Sequence, residues 1–513
     1  MGRPGTRLAL LAAVAALGAG VFSWRRREAR RRVVTLAAER LSYLHYDLVG
    51  LRLTESDPAL EREFAASPPR VAVLRGGVPV TTVGGIRETT LRRAAPGVWA
   101  AKWPVPWNAP AGEYLPALVG RGDLAGRLRA APFRVARRVP APLPRPFVVA
   151  TLEETGALSG LRLRGPDGRV EDWRALLDWT QALGANALLV LAGRSPGRRP
   201  GQVWDDSNAE FLPVLARACR RRGILFGAYA MYSLTTSTRP VGGYEYAQGV
   251  RDGRPVPTRA ISLRDRRRAD DVVRLLKPLA ADPDVSFVGL DYIRNALGGD
   301  ELASDFVAEM PGVPAPPEWP RLSRAEREVW LARKIAMHED AAFLDAWDWW
   351  RARRAALLVR EIKSRLGGTK PLWAFTLTWD RGWQHGQDPV MMNDAGVDYD
   401  GLMFYQADKA QYAAMMRDWR GYAARGDVQL VPGDIFDWDL HQKDPAGPAE
   451  FGRRLRLAVD SVYRDGPARA VFFHDLSRLL WRGRLGRWGA LGWAAQAREL
   501  SRYVQTPVPE RTR

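Results

Sequence analysis

A chain of 513 residues, of which 46% are hydrophobic, is long enough for two domains and for a large buried core. The net charge of +20 suggests a nucleic-acid partner, but the arginines that produce it are scattered along the chain, so we expect no nucleic-acid binding. The single cysteine, Cys219, excludes an internal disulfide and a cysteine-based metal cage.

The N-terminal segment is apolar and is followed by arginines. Leu8–Phe22 is long enough for the core of a signal peptide and short for a membrane span. Arg25–Arg27 and Arg30–Arg32 come next and would lie near anionic headgroups. We therefore expect residues 1–32 to be a signal peptide or membrane anchor, and the folded part to face the cell envelope or the exterior.

Residues 40–138 have the pattern of a small all-β domain. Short apolar runs such as Val71–Leu74 and Val98–Ala101 are separated by glycine and proline turns. This pattern resembles the immunoglobulin-like accessory domains of exported bacterial proteins, which implies a β-sandwich. The alternating prolines that follow predict a semi-rigid linker over residues 139–147.

Apolar strands alternate with helices from residue 148 to residue 505, which indicates a parallel sheet with right-handed crossovers. Eight strands over this length predict an α/β fold of the (β/α)8 TIM-barrel class, preceded by the small all-β domain. Gly160–Arg164 is the predicted first strand, and Phe147–Thr151 is the alternative for that place. The other predicted strands are Ala187–Leu191, Ile224–Tyr232, Phe287–Asp291, Leu372–Thr378, Leu402–Tyr405, Gln429–Val431 and Ala470–Phe473.

The fourth predicted strand ends abruptly in Asp291, Tyr292 and Arg294. Catalytic groups of such barrels lie at the carboxyl ends of the strands, so Asp291 is a candidate catalytic carboxylate. The alternative is that Asp291 caps the next segment or pairs with Arg294. An aspartate held by an arginine keeps a low pKa, which predicts a nucleophile or charge stabiliser rather than a proton donor.

Further carboxylates and aromatic side chains follow the other predicted strands. Glycosidic cleavage needs two carboxyl groups, and pyranose rings stack on aromatic side chains. We predict Asp408 as the proton donor, with Asp380 and Asp434 as alternatives. The predicted substrate-binding residues are Tyr232, Tyr292, Arg294, Trp379, Trp383, His385, Tyr405, Gln406, Trp438 and His474.

Two simpler roles compete with these assignments. Most of the 20 tryptophans must pack in cores, and an aspartate before a helix often caps it. His385 and His474 lack a neighbouring ligand at helical or strand spacing, so we expect no metal, and we expect no other cofactor.

The segment Gly289–Arg294 resembles the G-h-D-Y-I-R signature, with h a hydrophobic residue, of bacterial glycosyl-hydrolase-like barrels. Phe211–Ile224, Trp349–Arg354 and Val397–Tyr405 resemble further parts of that family in order and spacing. The resemblance implies a (β/α)8 barrel, an envelope setting and a sugar polymer as substrate. It also matches Asp291, Tyr292 and Arg294 to the family's motif.

The sequence therefore predicts a glycoside hydrolase acting on a polysaccharide or cell-envelope glycan, with a carbohydrate polymer as partner and membrane association through the N-terminus. The motif fixes no second catalytic carboxylate, and a glutamate at the ends of predicted strands four and seven is missing. A non-catalytic glycan-binding or scaffolding protein of the envelope is the alternative.

Overall fold

The computed structural model divides the chain into two compact units. One contains residues up to Arg137 together with Met310–Pro314, and the other contains Arg138–Glu309 and the residues from Ala315 onward. The structure describes residues 33–506 except 108, 154–155, 196, 198–201, 206, 236–242, 295–297, 369, 379–384, 406–409, 411, 418–427, 438–446 and 464–468.

The apolar run Leu8–Phe22 lies outside the described residues. Among the helices that are described, none combines the length and the apolar character that a membrane span needs.

The first unit contains two sheets that share one core. One sheet has five strands, in the order Leu128–Ala130, Val34–Ala38, Leu48–Thr54, Val98–Pro104 and Arg92–Ala95. The other has the order Ser42–Tyr43, Phe133–Val135, Gly112–Leu118, Arg70–Arg75 and Val78–Pro79, with Thr89–Thr90 paired to Arg70–Arg75. Helix Pro58–Ala66 accompanies them and begins at the cap residue Asp57.

Burial alternates along the strands of the first unit as a two-sheet packing requires. In Leu48–Thr54 the side chains of Val49, Leu51 and Leu53 are buried and the intervening ones are less so. They pack in one hydrophobic cluster with Trp103 of the same sheet and Phe133 of the other. The predicted small β-sandwich is therefore confirmed.

The second unit is built on a closed barrel of eight parallel strands. Barrel strands one to eight are Phe147–Leu152, Ala187–Gly193, Leu225–Met231, Phe287–Asp291, Leu372–Leu377, Tyr399–Met403, Leu430–Ile435 and Ala470–His474. The predicted (β/α)8 fold is confirmed.

The predicted first strand is wrong and its alternative is right. Phe147–Leu152 forms barrel strand one, and all of its residues are buried. Leu163–Arg164 pairs instead with Val170–Glu171 in a short antiparallel hairpin. A strand of a parallel barrel is covered on both faces, and the arginines of the segment Gly160–Arg164 cannot be buried there.

Helices alternate with the barrel strands. Their bounds are Ala175–Ala182, Leu212–Arg221, Arg266–Ala281, Ala303–Glu309, Arg324–Met337, Ala341–Arg365, Pro389–Ala395, Pro448–Val462 and Gly489–Gln505. An antiparallel hairpin, Tyr246–Arg251 with Arg254–Ile261, is inserted after barrel strand three.

Aromatic side chains fill the interior of the barrel, and strand glycines make room for them. Phe147, Phe287, Trp373 and Phe472 belong to one buried cluster. A Cβ atom at Gly433 would overlap the ring of Phe472. The glycine is therefore required by close packing.

The segment that precedes barrel strand one is hydrogen-bonded to the barrel. The guanidinium of Arg138 donates to Asp398 Oδ1 at 2.9 Å, and the backbone N–H of Ala141 donates to the same atom at 2.8 Å. The N–H of Leu143 donates to Gln429 Oε1 at 3.1 Å, and the Leu143 side chain joins the barrel core. The proline-rich segment is thus fixed to the barrel from Arg138 to Leu143.

Candidate active site

Polar side chains collect where barrel strands one, four and eight end. Each of these strands is buried throughout, and each run ends in ionisable residues. Glu153 follows strand one, Asp291 ends strand four, and His474 and Asp475 lie at the end of strand eight. The barrel brings these groups to one rim.

Glu153 and His474 form an ion pair. Nε2 of His474 lies 3.2 Å from Glu153 Oε2, and a hydrogen bond of 2.9 Å joins Nδ1 to the hydroxyl of Thr151. The imidazole also stacks on Tyr405, with ring centroids 5.5 Å apart and planes 5° from parallel. The second nitrogen and the ring face are thus both fixed, which orients Nε2 toward the carboxylate.

The ion pair shifts the pKa values of both Glu153 and His474. Burial opposes the charged form of both groups, but the hydrogen bond and the charge of the partner outweigh it. The pKa of Glu153 is lowered as a result, and the pKa of His474 is raised. The environment of Glu153 therefore favours the ionised carboxylate.

Asp475 lies beside this pair, and its Oδ1 is 3.4 Å from the backbone N–H of Glu153. Its two carboxyl oxygens accept hydrogen bonds from the backbone N–H of Ser477 at 2.6 Å and from the Ser477 hydroxyl at 2.7 Å. Burial raises its pKa. The atoms of Glu153, His474 and Asp475 that could bind a metal ion lie within 4.8 Å of one another. Each of these groups already has hydrogen-bond partners in the protein. In this structure Glu153 and His474 form an ion pair, and Asp475 lies next to it, hydrogen-bonded to Ser477.

The pKa of Asp291 is shifted in the opposite direction to that of Glu153. Its Oδ1 accepts a 2.6 Å hydrogen bond from the N–H of Tyr292 and lies 3.6 Å from Nη1 of Arg294. Burial outweighs the arginine, and the nearby charge of Glu153 adds to burial, so the pKa of Asp291 rises to about 6. The predicted low pKa of Asp291 is wrong because the strand end buries the carboxyl group more deeply than Arg294 can compensate.

Tyr292 has a left-handed backbone conformation, with φ at 52°. A tyrosine adopts this conformation only where the surrounding structure imposes it, and such residues cluster at functional sites. The guanidinium of Arg294 lies 4.1 Å from the centre of the Tyr292 ring. The turn after barrel strand four thus places a carboxyl, a phenol and a guanidinium side by side.

Two buried tyrosines lie close enough to be affected by the charges of both Glu153 and Asp291. Burial raises the pKa of Tyr229, on barrel strand three, and the charges of Glu153 and Asp291 raise it further. The same causes raise the pKa of Tyr405 after barrel strand six. Because both carboxyl groups act on the same phenols, Glu153 and Asp291 belong to one site.

The structure brings five of the predicted site residues into this cluster: Asp291, Tyr292, Arg294, Tyr405 and His474. Asp434 is buried beside it, and its Oδ1 accepts from the N–H of Ile435 at 2.8 Å.

Two other predicted residues, Tyr232 and His385, lie in the described part of the chain. Tyr232 is fully buried and its hydroxyl donates to the carbonyl of Asp265 at 3.3 Å, which is a packing position beside helix Arg266–Ala281. His385, which lies between barrel strand five and helix Pro389–Ala395 in the chain, is half-buried, and its assignment stays a prediction.

The remaining predicted residues lie outside the described part of the chain. They are Asp380, Asp408, Trp379, Trp383, Gln406 and Trp438. Their assignments stay predictions.

Sequence reasoning missed Glu153, Asp475 and Tyr229. Glu153 had a usable signal: the apolar run Phe147–Leu152 ends in a carboxylate, as Phe287–Leu290 does before Asp291. Choosing Gly160–Arg164 as the first strand hid it. Tyr229 carried no signal, because a tyrosine inside an apolar strand reads as core.

No family model matches the chain, and no curated protein matches it. Similar solved structures include a pullulanase from Paenibacillus barengoltzii in complex with maltohexaose and alpha-cyclodextrin, 13% identical with a TM-score of 0.37 over 91% of this chain and 80% of that one. They also include the GH53 catalytic domain of Ignisphaera aggregans, 13% identical with a TM-score of 0.39 over 72% of this chain and 99% of that one.

The alpha-amylase of Geobacillus thermoleovorans complexed with acarbose is 11% identical, with a TM-score of 0.35 over 70% of this chain and 78% of that one. These similar structures are glycoside hydrolases. All three TM-scores lie below 0.5.

Proposed function

We propose that this protein is a glycoside hydrolase acting on a polysaccharide or cell-envelope glycan, with Asp291 as proton donor and Glu153 as the second carboxylate. The observation that carries the proposal is the opposite perturbation of two neighbouring carboxyl groups: the pKa of Glu153 is lowered and that of Asp291 is raised to about 6. One carboxyl that keeps its proton and one that has lost it are what glycosidic cleavage requires.

The roles follow from the protonation states. At mildly acidic pH, Asp291 holds a proton that it can give to the leaving glycosidic oxygen. Glu153, held ionised by His474, can stabilise the positive charge that develops on the sugar ring, attack the anomeric carbon or activate water. His474 is a positioning residue that acts through Glu153. Tyr292 and Tyr405 supply aromatic surface beside the two carboxyl groups.

The test is the release of reducing ends from a panel of polysaccharides and envelope glycans by the native protein, Glu153→Gln and Asp291→Asn. We expect each variant to lose activity by about 10²- to 10⁴-fold. Asp291→Asn should lose least on activated aryl glycosides, whose leaving groups need little protonation. Asp167→Asn, in an exposed turn of the barrel unit, is the matched control and should keep native activity. Full activity in both site variants would refute the assignment.

A non-catalytic glycan-binding protein is the second candidate, and the depth of Asp291 favours it. This residue is only 6% exposed, so a bound sugar must approach closely for proton transfer. Equal glycan binding by the native protein, Glu153→Gln and Asp291→Asn, with no reducing ends released by any of them, would support this reading.

We also propose that the folded part lies outside the cytoplasm. The apolar run Leu8–Phe22, which has the length of a signal-peptide core, supports this placement. A reporter fused after Arg513 should be active outside the cytoplasm, and activity confined to the cytoplasm would contradict the proposal.

A further inference from the structure

Two arginines at the candidate active site have buried N–H groups that no described residue accepts. Arg194 follows barrel strand two, and its Nε is buried without a hydrogen-bond partner in the described part of the chain. Arg294 follows barrel strand four, and its Nε and Nη1 are in the same situation. An unpaired buried donor on a charged group is unfavourable, and such groups normally have a partner.

The neighbouring cations of the site are already engaged. Arg478 donates to Asp437 Oδ2 at 2.6 Å, and Arg482 donates to the carbonyl of Glu153 at 3.2 Å. His474 is paired with Glu153. Arg194 and Arg294 therefore differ from these neighbouring cations, because each has a buried N–H group without an acceptor among the described residues.

Both arginines lie close to the reacting groups. The positive charge of Arg194 contributes to the lowered pKa of Glu153, and Nη1 of Arg294 lies 3.6 Å from Asp291 Oδ1. Arg194 is half-buried, so part of its guanidinium can be reached from solvent. A sugar held between Glu153 and Asp291 would thus lie near both guanidinium groups.

In the working site the charge of Arg294 is left without its counter-charge. Glu153 and His474 cancel each other, and Asp291 must carry a proton in order to donate one. In that state Asp291 no longer offsets the charge of Arg294, and a buried cation without a counter-charge is strongly unfavourable. Arg194 adds a second positive charge. An anionic group on the substrate would balance these charges and accept the unused N–H groups in the planar, two-pronged geometry that arginine favours.

We propose that the site takes a glycan carrying anionic groups, either uronic acid carboxylates or sulfate or phosphate esters, and that Arg194 and Arg294 receive the anion. This inference rests on the proposed function, because it places the anion on the sugar that Glu153 and Asp291 act on. The net charge of +20 alone does not predict this anion site, because the site consists of two particular side chains with unpaired buried donors.

The experiment compares matched polymers at a fixed, near-physiological salt concentration. Polygalacturonate and alginate are each tested beside their carboxyl-reduced neutral forms, and dextran sulfate and dextran phosphate beside dextran. Affinity and release of reducing ends are measured for the native protein, Arg194→Met, Arg194→Lys and Arg221→Met. Arg221 is an exposed arginine on helix Leu212–Arg221, so its variant removes the same charge away from the site.

We expect at least one acidic polymer to bind more tightly than its neutral partner by about 10-fold or more, and Arg194→Met to reduce that affinity by about 10- to 100-fold. Arg194→Lys should retain part of it, and Arg221→Met should stay within about 3-fold of the native protein. The carboxylate and ester arms distinguish the two sources of the anion.

Equal affinity for acidic and neutral forms would overturn the inference, as would equal losses in Arg194→Met and Arg221→Met. Hydrolysis of the panel without any preference for acidic polymers would overturn it while leaving the proposed function intact. Anion binding that depends on Arg194, with no hydrolysis of any polymer, would support the anion site and refute the proposed hydrolase.

Discussion

Asp291→Asn should stabilise the protein at neutral pH while it removes activity. Burial raises the pKa of Asp291 from 3.8 to about 6, and this difference corresponds to about 3 kcal/mol. The folded state binds the proton more tightly than the unfolded chain, so this group lowers the free energy of unfolding as the pH rises between these two values. The full loss is present above the folded-state pKa and absent well below 3.8.

An asparagine cannot ionise, so the variant avoids this loss. The pKa of about 6 already includes the attraction between Asp291 and Arg294, so loss of this 3.6 Å ion pair takes nothing further from the gain. We therefore expect a stabilisation of about 3 kcal/mol near neutral pH, and about 2 kcal/mol less than that at about pH 4.

The measurement is urea-induced unfolding of the native protein and Asp291→Asn at about pH 7.5 and about pH 4, followed through the transition in which the barrel unfolds. Asp167→Asn is again the control, and its effect should stay within about 0.5 kcal/mol at both pH values. A stability difference between the native protein and Asp291→Asn that is the same at both pH values would refute the reasoning, because the effect would then not arise from ionisation.

Three further changes test the site and the barrel. His474→Gln removes the charge that keeps the pKa of Glu153 low, so the acidic limb of the pH profile of kcat/KM should move up by about one pH unit or more; an unmoved limb would contradict the ion pair. Arg294→Met removes a charge that lowers the pKa of Asp291, so the alkaline limb should move to higher pH by a similar amount, whereas Arg294→Lys should leave it nearly in place. Gly433→Ala should lower the free energy of unfolding by about 1–3 kcal/mol because its methyl group would overlap Phe472, and Gly160→Ala, where the space is open, should change it little; equal effects would argue against close packing.

The number and order of the barrel strands could be read from the sequence because parallel barrel strands are apolar along their whole length. The same rule fails where two apolar runs compete for one place, as Phe147–Leu152 and Gly160–Arg164 did. Arg162 and Arg164 were the evidence against the second run, since neither can lie in a strand covered on both faces.

The candidate site was only partly predictable. Asp291 could be identified from its place at a strand end, but its pKa could not, because burial is a property of the folded strand end and the sequence indicates only that Arg294 is near. The pairing of Glu153 with His474 joins residues at opposite ends of the barrel unit's sequence, and only closure of barrel strand one against barrel strand eight brings them together.

The hydrogen bonds before barrel strand one determine where a separately expressed barrel can begin. Asp398 is buried and accepts from both Arg138 and the N–H of Ala141. A fragment starting at Phe147 would keep all eight strands and yet lose these donors, together with Leu143 from the core. The shortest barrel fragment that keeps these hydrogen bonds and the Leu143 packing therefore starts at Arg138, nine residues before its first strand.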